Sequence, residues 1–270
     1  MIKIVLFGLG EAGSLIGSDI VAAAKEKRIA LKVSGFDPAD IKTPPGVLRT
    51  TIPTDAVADA DFILSFTGSV DALNALNQSI ELIPPSAIYA DFASASAGLK
   101  RELAKIADDA GFKFCDVALM AMVPGNGIKT PAMFAGNGAT ELKDLLSTIG
   151  MPVEIVSDSA GDAAERKLLR SVVIKGLAGL LIESLEGGHK AGCAQWLWKN
   201  LVDEFTAMDA RMLQRLVQGT GVHAGRRLHE MEASAQQLTE LGVDPLMTAS
   251  TVAHLDKVKR IGVPLSLIHI

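Results

Sequence analysis

The hexapeptide Ile2-Lys3-Ile4-Val5-Leu6-Phe7 runs straight into Gly8-Leu9-Gly10-Glu11-Ala12-Gly13. A β-rich run, a G-x-G-x-x-G turn and a helix-compatible segment with Leu15, Ile16, Ile20, Val21 and Ala24 on one side make a strand–turn–helix unit. In that context each glycine has a separate task. Gly8 permits the tight turn, Gly10 lets backbone N–H groups approach a pyrophosphate, and Gly13 lets helix and strand pack closely. Residues 8–13, with Leu9, Glu11 and Ala12 carrying the backbone between the glycines, form the expected dinucleotide cradle. Outside such a context the same glycines would describe only a flexible turn.

The first half of the chain repeats this alternation. Strand-like runs at 31–36, 61–66, 86–91, 112–119, 131–135 and 152–156 are separated by helical segments. The expected fold is α/β, a Rossmann-type, doubly wound parallel sheet with its ligand outside the carboxyl ends of the strands. Asp37 ends the second run, about 20 residues past the glycines, where an acid holds a ribose hydroxyl in dinucleotide folds. It would repel a 2′-phosphate, which favours NAD over NADP as the NAD(P) cofactor; Asp37 alternatively only starts the Asp37-Pro38 turn. Phe66, Thr67 and Ser69, and then Ser94 and Ser96, stand at later strand ends. Their hydroxyls either donate to phosphate or ribose, or cap the helices that follow.

After about residue 156 the β-branched runs stop, and helices are expected at 161–186, 195–217, 221–241 and 245–260. The domains expected are thus 1–158, nucleotide-binding, and 159–264, all-helical. The last six residues, 265–270, read as a non-native tail of a truncated fragment, because their reading frame fits the end of a sequencing-library adapter. Of the 270 residues 49% are hydrophobic and 21% charged, enough to fill a substantial core. The net charge of -5 gives no footing for nucleic acid or an anionic membrane. No signal peptide or membrane span is legible, and Cys115 and Cys193 form no CxxC pair, so a cytoplasmic protein with buried, inert thiols is expected. No metal-ligand spacing is present.

The helix expected at 161–186 opens Gly161-Asp162-Ala163-Ala164-Glu165-Arg166-Lys167 and ends before Gly187-Gly188. Lys167, Arg170, Ser171 and Lys175 share one broad face, at i, i+3, i+4 and i+8. Clustered cations lower a lysine's pKa toward the range a general acid/base needs, and they attract anions. A lysine on a helix is otherwise most often solvated. The histidines, the usual acid/base choice, all come late: His189, His223, His229, His254 and His269.

The order of these features resembles the 6-phosphogluconate dehydrogenase and 3-hydroxyisobutyrate dehydrogenase superfamily over nearly the whole chain. Residues 7–13 match its glycine signature. Residues 91–97 are similar to its D-x-S-T-x-x-P segment, with alanines at the first Ser and at the Pro. Residues 161–171 resemble its G-x-G-x-x-x-K-x-x-N-N signature, so the resemblance implies that Lys167 is the acid/base in hydride transfer. Arg170 and Ser171 replace the paired asparagines. Residues 116–122 stand where the family's substrate loop reads D-A-P-V-S-G-G, which puts Met120, Ala121 and Met122 in place of its Ser and glycines. The implied substrate-binding residues are Ser94, Met120, Ala121, Arg170, Ser171 and Lys175. Residues 223–232 look like the helical domain of the less characterised, phosphogluconate-dehydrogenase-like branch, where Arg226, Arg227 and His229 either reach a substrate across a dimer cleft or form a solvated face.

The expected activity is an NAD(P)-dependent oxidoreductase acting on a small, anionic hydroxy acid or related alcohol. An imine reductase and a non-catalytic dinucleotide sensor are the alternatives. Partners expected are the small-molecule substrate and a second copy in a homodimer, since an apolar helical domain favours self-association.

Overall fold

The computed structural model describes residues 1–264; the expected non-native tail at 265–270 lies outside the described residues. The described residues divide into two compact units, Met1–Arg170 and the residues from Ser171 onward. The division falls inside one helix, whereas a boundary near residue 158 is expected from sequence.

The first unit is built on one sheet. Its strands are β1 (Ile2–Phe7), β2 (Leu31–Phe36), β3 (Leu48–Arg49), β4 (Phe62–Ser65), β5 (Ile88–Asp91), β6 (Lys113–Leu119), β7 (Ala132–Ala135) and β8 (Val153–Ser157). Their spatial order is β3-β2-β1-β4-β5-β6-β7-β8. The first six run parallel in the doubly wound order, with the topological switch between β1 and β4. Strand β3 is two residues long and carries no periodicity that could announce it.

One strand breaks the expected parallel pattern. β7 pairs with β6 antiparallel, and β8 then returns parallel to β7. A parallel return needs a crossover, usually a full helix. Residues 120–131 contain only a 3-10 turn at Gly127–Lys129, so the chain doubles back.

Alternation along β1 feeds two cores. Ile4 and Leu6 face α1 (Glu11–Lys27) and α5 (Ala139–Thr148), in a cluster with Ile16, Ile20, Leu142 and Leu146. Val5 and Phe7 face the other side, where α2 (Pro53–Val57), α3 (Ala72–Asn77) and α4 (Ala97–Ala110) bring Val57, Leu76 and Leu103. Side chains that alternate along buried central strands are what a sheet covered on both faces requires.

The second unit is helical. α6 (Asp162–Lys190) leads into α7 (Ala194–Thr206), α8 (Ala210–Glu240) and α9 (Leu246–Ile261). Here the expected limits shift twice. α6 runs through Gly187-Gly188, because those glycines serve close approach: a Cβ on them would lie 2.6 Å from a Leu238 methyl and 2.8 Å from a Leu197 methyl. The stop comes at Gly192, whose φ of 74° is left-handed. The break expected near 218–220 lies instead at 207–209, where the Asp209 carboxylate accepts from Met212 N at 2.8 Å and caps α8. Gly219 and Gly221 leave only a kink at His223.

Inside this unit Glu183 of α6 is buried and caps α9. Its Oε1 accepts Thr248 N at 2.9 Å and Thr248 Oγ1 at 2.6 Å, and its Oε2 accepts Met247 N at 2.6 Å. Burial raises its pKa, but the bonds from Thr248 and Met247 outweigh burial and hold it below the ordinary value. A lowered folded-state pKa gives stability that is present above the unfolded value and lost as pH falls through the folded one. Glu183→Ala is expected to cost about 1–3 kcal/mol at pH 7. In thermal unfolding from pH 7 to pH 3, the gap between wild type and variant should close at the acid end.

Candidate functional site

Parallel register aligns the strand ends. Phe36, Phe7, Ser65, Asp91 and Asp116 lie side by side in one row across β2, β1, β4, β5 and β6. Four of the chain segments singled out from sequence leave the sheet just past this row: Gly8, Asp37, Phe66 and Ser94. The carboxyl edge is where ligands lie in open parallel sheets.

At the switch point a groove of about 350 Å³ is lined by Gly8, Gly10, Asp37, Phe66, Thr67 and Asp71, among others. Its floor is set by glycine. Gly8 has φ of 87°, and a Cβ on Gly13 would stand 2.0 Å from the Gly8 carbonyl oxygen, so helix α1 reaches the strand only without that atom. Gly10 differs, since an added Cβ there meets nothing within 4 Å. The protein's own packing does not demand a glycine at 10. Gly10 is also the N-cap of α1 and has no side-chain acceptor for the helix's first amides.

Asp37 takes part in both of the roles open from sequence. Its Oδ2 accepts Leu9 N at 2.7 Å and its Oδ1 accepts Ala39 N at 2.9 Å, which ties the turn to the glycine loop. Arg49, which no motif flags, donates from Nη2 to the Asp37 and Ala39 carbonyls at 2.6 and 2.8 Å and from Nη1 to the Ile41 carbonyl at 3.1 Å. The Leu9 side chain is buried in the core, Glu11 is exposed in the first turn of α1, and Ala12 packs partly against the core. Phe66 packs on Phe92 with ring centroids 4.3 Å apart, and Thr67 Oγ1 lies 3.1 Å from Ser65 Oγ. Ser69 is exposed beyond the groove.

The two serines after β5 separate in role. Ser96 caps α4, accepting from Leu99 N at 3.2 Å. Ser94 accepts from the Lys167 Nζ at 2.8 Å. Arg170 Nη1 donates to the Met120 carbonyl at 2.9 Å, which ties the start of the 120–131 connection to α6; Ala121 is exposed there. Ser171 and Lys175 belong to the second unit, where the Lys175 ammonium donates to Ser171 Oγ at 3.3 Å. Arg226 pairs with Glu230 and His229 with Glu232 at 3.0 Å, while Arg227 turns back to the Leu216 carbonyl at 3.1 Å and to Thr220. These contacts are those of a self-paired, solvated helix face.

Sequence reasoning does not foresee Lys100. It is fully buried, with its Nζ 2.7 Å from the Asp91 carbonyl oxygen, 2.8 Å from Asp91 Oδ2 and 3.2 Å from Asp116 Oδ1. Burial pushes the Asp91 pKa up, opposed by the Lys100 charge beside it. The thiol of Cys115, buried next to Asp116, is raised well above its usual value by desolvation first and by that carboxylate second, which keeps it inert. Cys193 is exposed, contrary to expectation, because it lies in the turn before α7. Among the described residues no cluster of His, Cys, Asp or Glu has the makings of a metal site, and no helix is long and apolar enough to cross a membrane.

If close helix–strand packing is what Gly13 serves, then Gly13→Ala should lower the stability of the first unit by about 1–3 kcal/mol. Gly10→Ala should leave its melting temperature within about 2 °C of wild type. Differential scanning calorimetry on the two variants makes the comparison.

Known proteins give the same picture of the fold. Residues 189–258 match the family described as a domain of unknown function, DUF1932. An uncharacterised 28.5 kDa protein from Methanothermus fervidus is 25% identical over 197 residues, 73% of this chain and 75% of that one. A conserved protein of unknown function, whose structure is described as similar to 3-hydroxyacid dehydrogenases, superposes with a TM-score of 0.60 at 23% identity, covering 96% of this chain and 97% of that one. The imine reductase from Aspergillus terreus, solved with NADPH4 and dibenz[c,e]azepine, superposes with a TM-score of 0.77 at 16% identity, covering 99% and 98%. These superpositions show the fold alone, a Rossmann-type sheet followed by helices that the chain shares with these structures, and the DUF1932 match falls within the helical part.

Proposed function

We propose that this chain is an NAD(P)-dependent oxidoreductase acting on a small, anionic hydroxy acid or related alcohol, with Lys167 as the general acid/base. The observation that carries the proposal is the hydrogen bond from the Lys167 ammonium to Ser94, a residue on the same carboxyl edge as the glycine groove.

The residues at the switch point suit a dinucleotide. Gly8 and Gly10 offer a floor without side chains, the uncapped first amides of α1 suit a pyrophosphate, and Thr67 and Asp71 line the same groove. When bound, the nicotinamide supplies or accepts the hydride. Asp37 would hold the adenosine ribose, and its charge disfavours a 2′-phosphate. Arg49 turns its fork to three loop carbonyls instead of outward, which also supports NAD over NADP. The Aspergillus terreus imine reductase was solved with NADPH4, so NADH and NADPH affinities need direct comparison. NADH should bind at least about tenfold tighter, and Asp37→Ala should erase most of that gap; equal affinities in the wild type would remove the NAD assignment.

Lys167 holds a proton that can pass to or from a substrate hydroxyl, and Ser94 orients the ammonium. Arg170 is the candidate for gripping a carboxylate or phosphate, with Met120 and Ala121 as the apolar wall. Lys167→Ala should retain NADH binding while turnover falls by a factor of about 100 or more. A panel of hydroxy acids, keto acids and cyclic imines, followed by NADH absorbance, supplies the substrate. Turnover of imines alone would make the chain an imine reductase, and tight NADH binding with no turnover anywhere would make it a sensor.

A homodimer belongs to the same proposal. On α6 Val172 is 71% and Ile182 69% exposed, and on α7 Trp196 is 67% exposed. A groove of about 730 Å³ in the same unit is lined by Leu181, Leu197, Phe205, Met231 and Leu238. Apolar surface on this scale on a helical domain calls for a cover. Sedimentation should give twice the chain mass, and Trp196→Glu should shift it toward one.

A further inference from the structure

We propose that the buried Asp91–Lys100–Asp116 cluster is the device that sets Lys167 against Ser94, with Lys100 and Asp116 as positioning residues. This rests on the acid/base role proposed for Lys167.

The starting point is the N-terminus of α6. The first four amides of a helix lack intrahelical acceptors, and a Ser, Thr, Asp or Asn just before the helix ordinarily supplies one. Before Asp162 stands Gly161, with φ of 100°; a Cβ there would lie 2.8 Å from the Ala97 carbonyl oxygen. No local side chain can cap this helix from that position. The acceptor comes from the sheet: Asp116 Oδ2 takes Gly161 N at 3.1 Å and Ala164 N at 2.9 Å. A carboxylate is the favourable charge at a helix N-terminus. Lys167 follows Ala164 by three residues, so the turn that carries it is the turn Asp116 holds.

The other oxygen of Asp116 faces Lys100 Nζ at 3.2 Å. The same ammonium meets Asp91 Oδ2 at 2.8 Å and donates to the Asp91 carbonyl at 2.7 Å. Asp91 Oδ1 in turn accepts from Ala93 N at 3.4 Å, next to Ser94. One ammonium therefore joins the two backbones that carry the partners of the Lys167–Ser94 hydrogen bond.

Stability alone does not account for this arrangement. A buried ion cluster can often be replaced by apolar residues of similar volume without loss. Apolar residues could not accept two helix amides while fixing a neighbouring strand end. All three side chains are fully buried, so none of them reaches substrate, and their effect passes through Lys167 and Ser94.

Three measurements test the inference. In the wild-type protein, the Ala164 amide should exchange with solvent at least about tenfold more slowly than an unprotected first-turn amide. In Asp116→Asn, which keeps one acceptor oxygen, and in Asp116→Ala, which keeps none, acylation of Lys167 read by mass spectrometry against exposed Lys199 should rise in that order. On the substrate that the panel identifies, kcat should fall about tenfold or more in Asp116→Ala, with the NADH Kd within about twofold of wild type. A rapidly exchanging Ala164 amide overturns the inference. So do Asp116 variants that lose thermal stability while Lys167 acylation and kcat per folded molecule match the wild type. Should the variants fail to fold, the wild-type exchange decides alone. Full activity in Lys167→Ala would remove the acid/base role, while exchange and acylation would still decide the positioning.

Discussion

The parallel pairing of β1 between β2 and β4 is the constraint on which the rest of the first unit depends. It brings Phe36, Phe7 and Ser65 to one level, so the chain leaves three neighbouring strands at one place, on one edge. The same row continues through Asp91 and Asp116. A one-residue slip would turn Ile4 and Leu6 away from α1 and break the two-sided core, so the level of these strand ends is fixed by packing. The groove at Gly8–Gly10 and the Ser94–Lys167 pair both inherit their height from that register.

Charge enters this unit only where backbone needs it. Lys100, Asp91 and Asp116 lie at the end of an otherwise apolar sheet interior, and their bonds go largely to main-chain groups: one carbonyl and three amides. Taking an ammonium and two carboxylates out of water is costly, and that cost is offset only when geometry and hydrogen bonding are good. Asp37 follows the same logic at partial burial, giving its two oxygens to the amides of Leu9 and Ala39. In both cases an aspartate on or just past a strand substitutes for an acceptor that glycine cannot provide.

Much of this was legible in the sequence because it rests on local rules. The strand–glycine–helix opening, seven of the strands and the change to helices after residue 156 all follow from periodicity and turn chemistry. What escaped depends on contacts distant in sequence. Lys100 reads as one more polar residue in an amphipathic helix, and only the fold brings Asp91 and Asp116 to its Nζ. The antiparallel turn of β7 goes with the lack of a full helix in 120–131, which alternation alone does not weigh. Gly187-Gly188 looked like a helix stop because glycine ends helices locally, yet Leu197 and Leu238 use both as contact surface. Asp209 is a residue type that caps helices, and α8 starts there and not at Gly219 or Gly221.

The antiparallel return also bears on what the proposed enzyme would accept. Where a parallel crossover would have placed a helix, β6 instead runs on to Leu119, followed by the half-buried Met120 and the exposed Ala121 and Met122, with Met122 73% exposed. Arg170 gives one nitrogen to the Met120 carbonyl, which fixes the guanidinium beside this apolar strip. A fork anchored at one nitrogen keeps its remaining N–H groups for a planar anion, and less side-chain entropy is left to lose on binding. Apolar wall and tethered cation together suit a small acid with a hydrophobic substituent better than a polyhydroxylated phosphate. Under the proposed function, Met120, Ala121 and Met122 would bear on which substrate is accepted, while Lys167 would keep its proposed acid/base role.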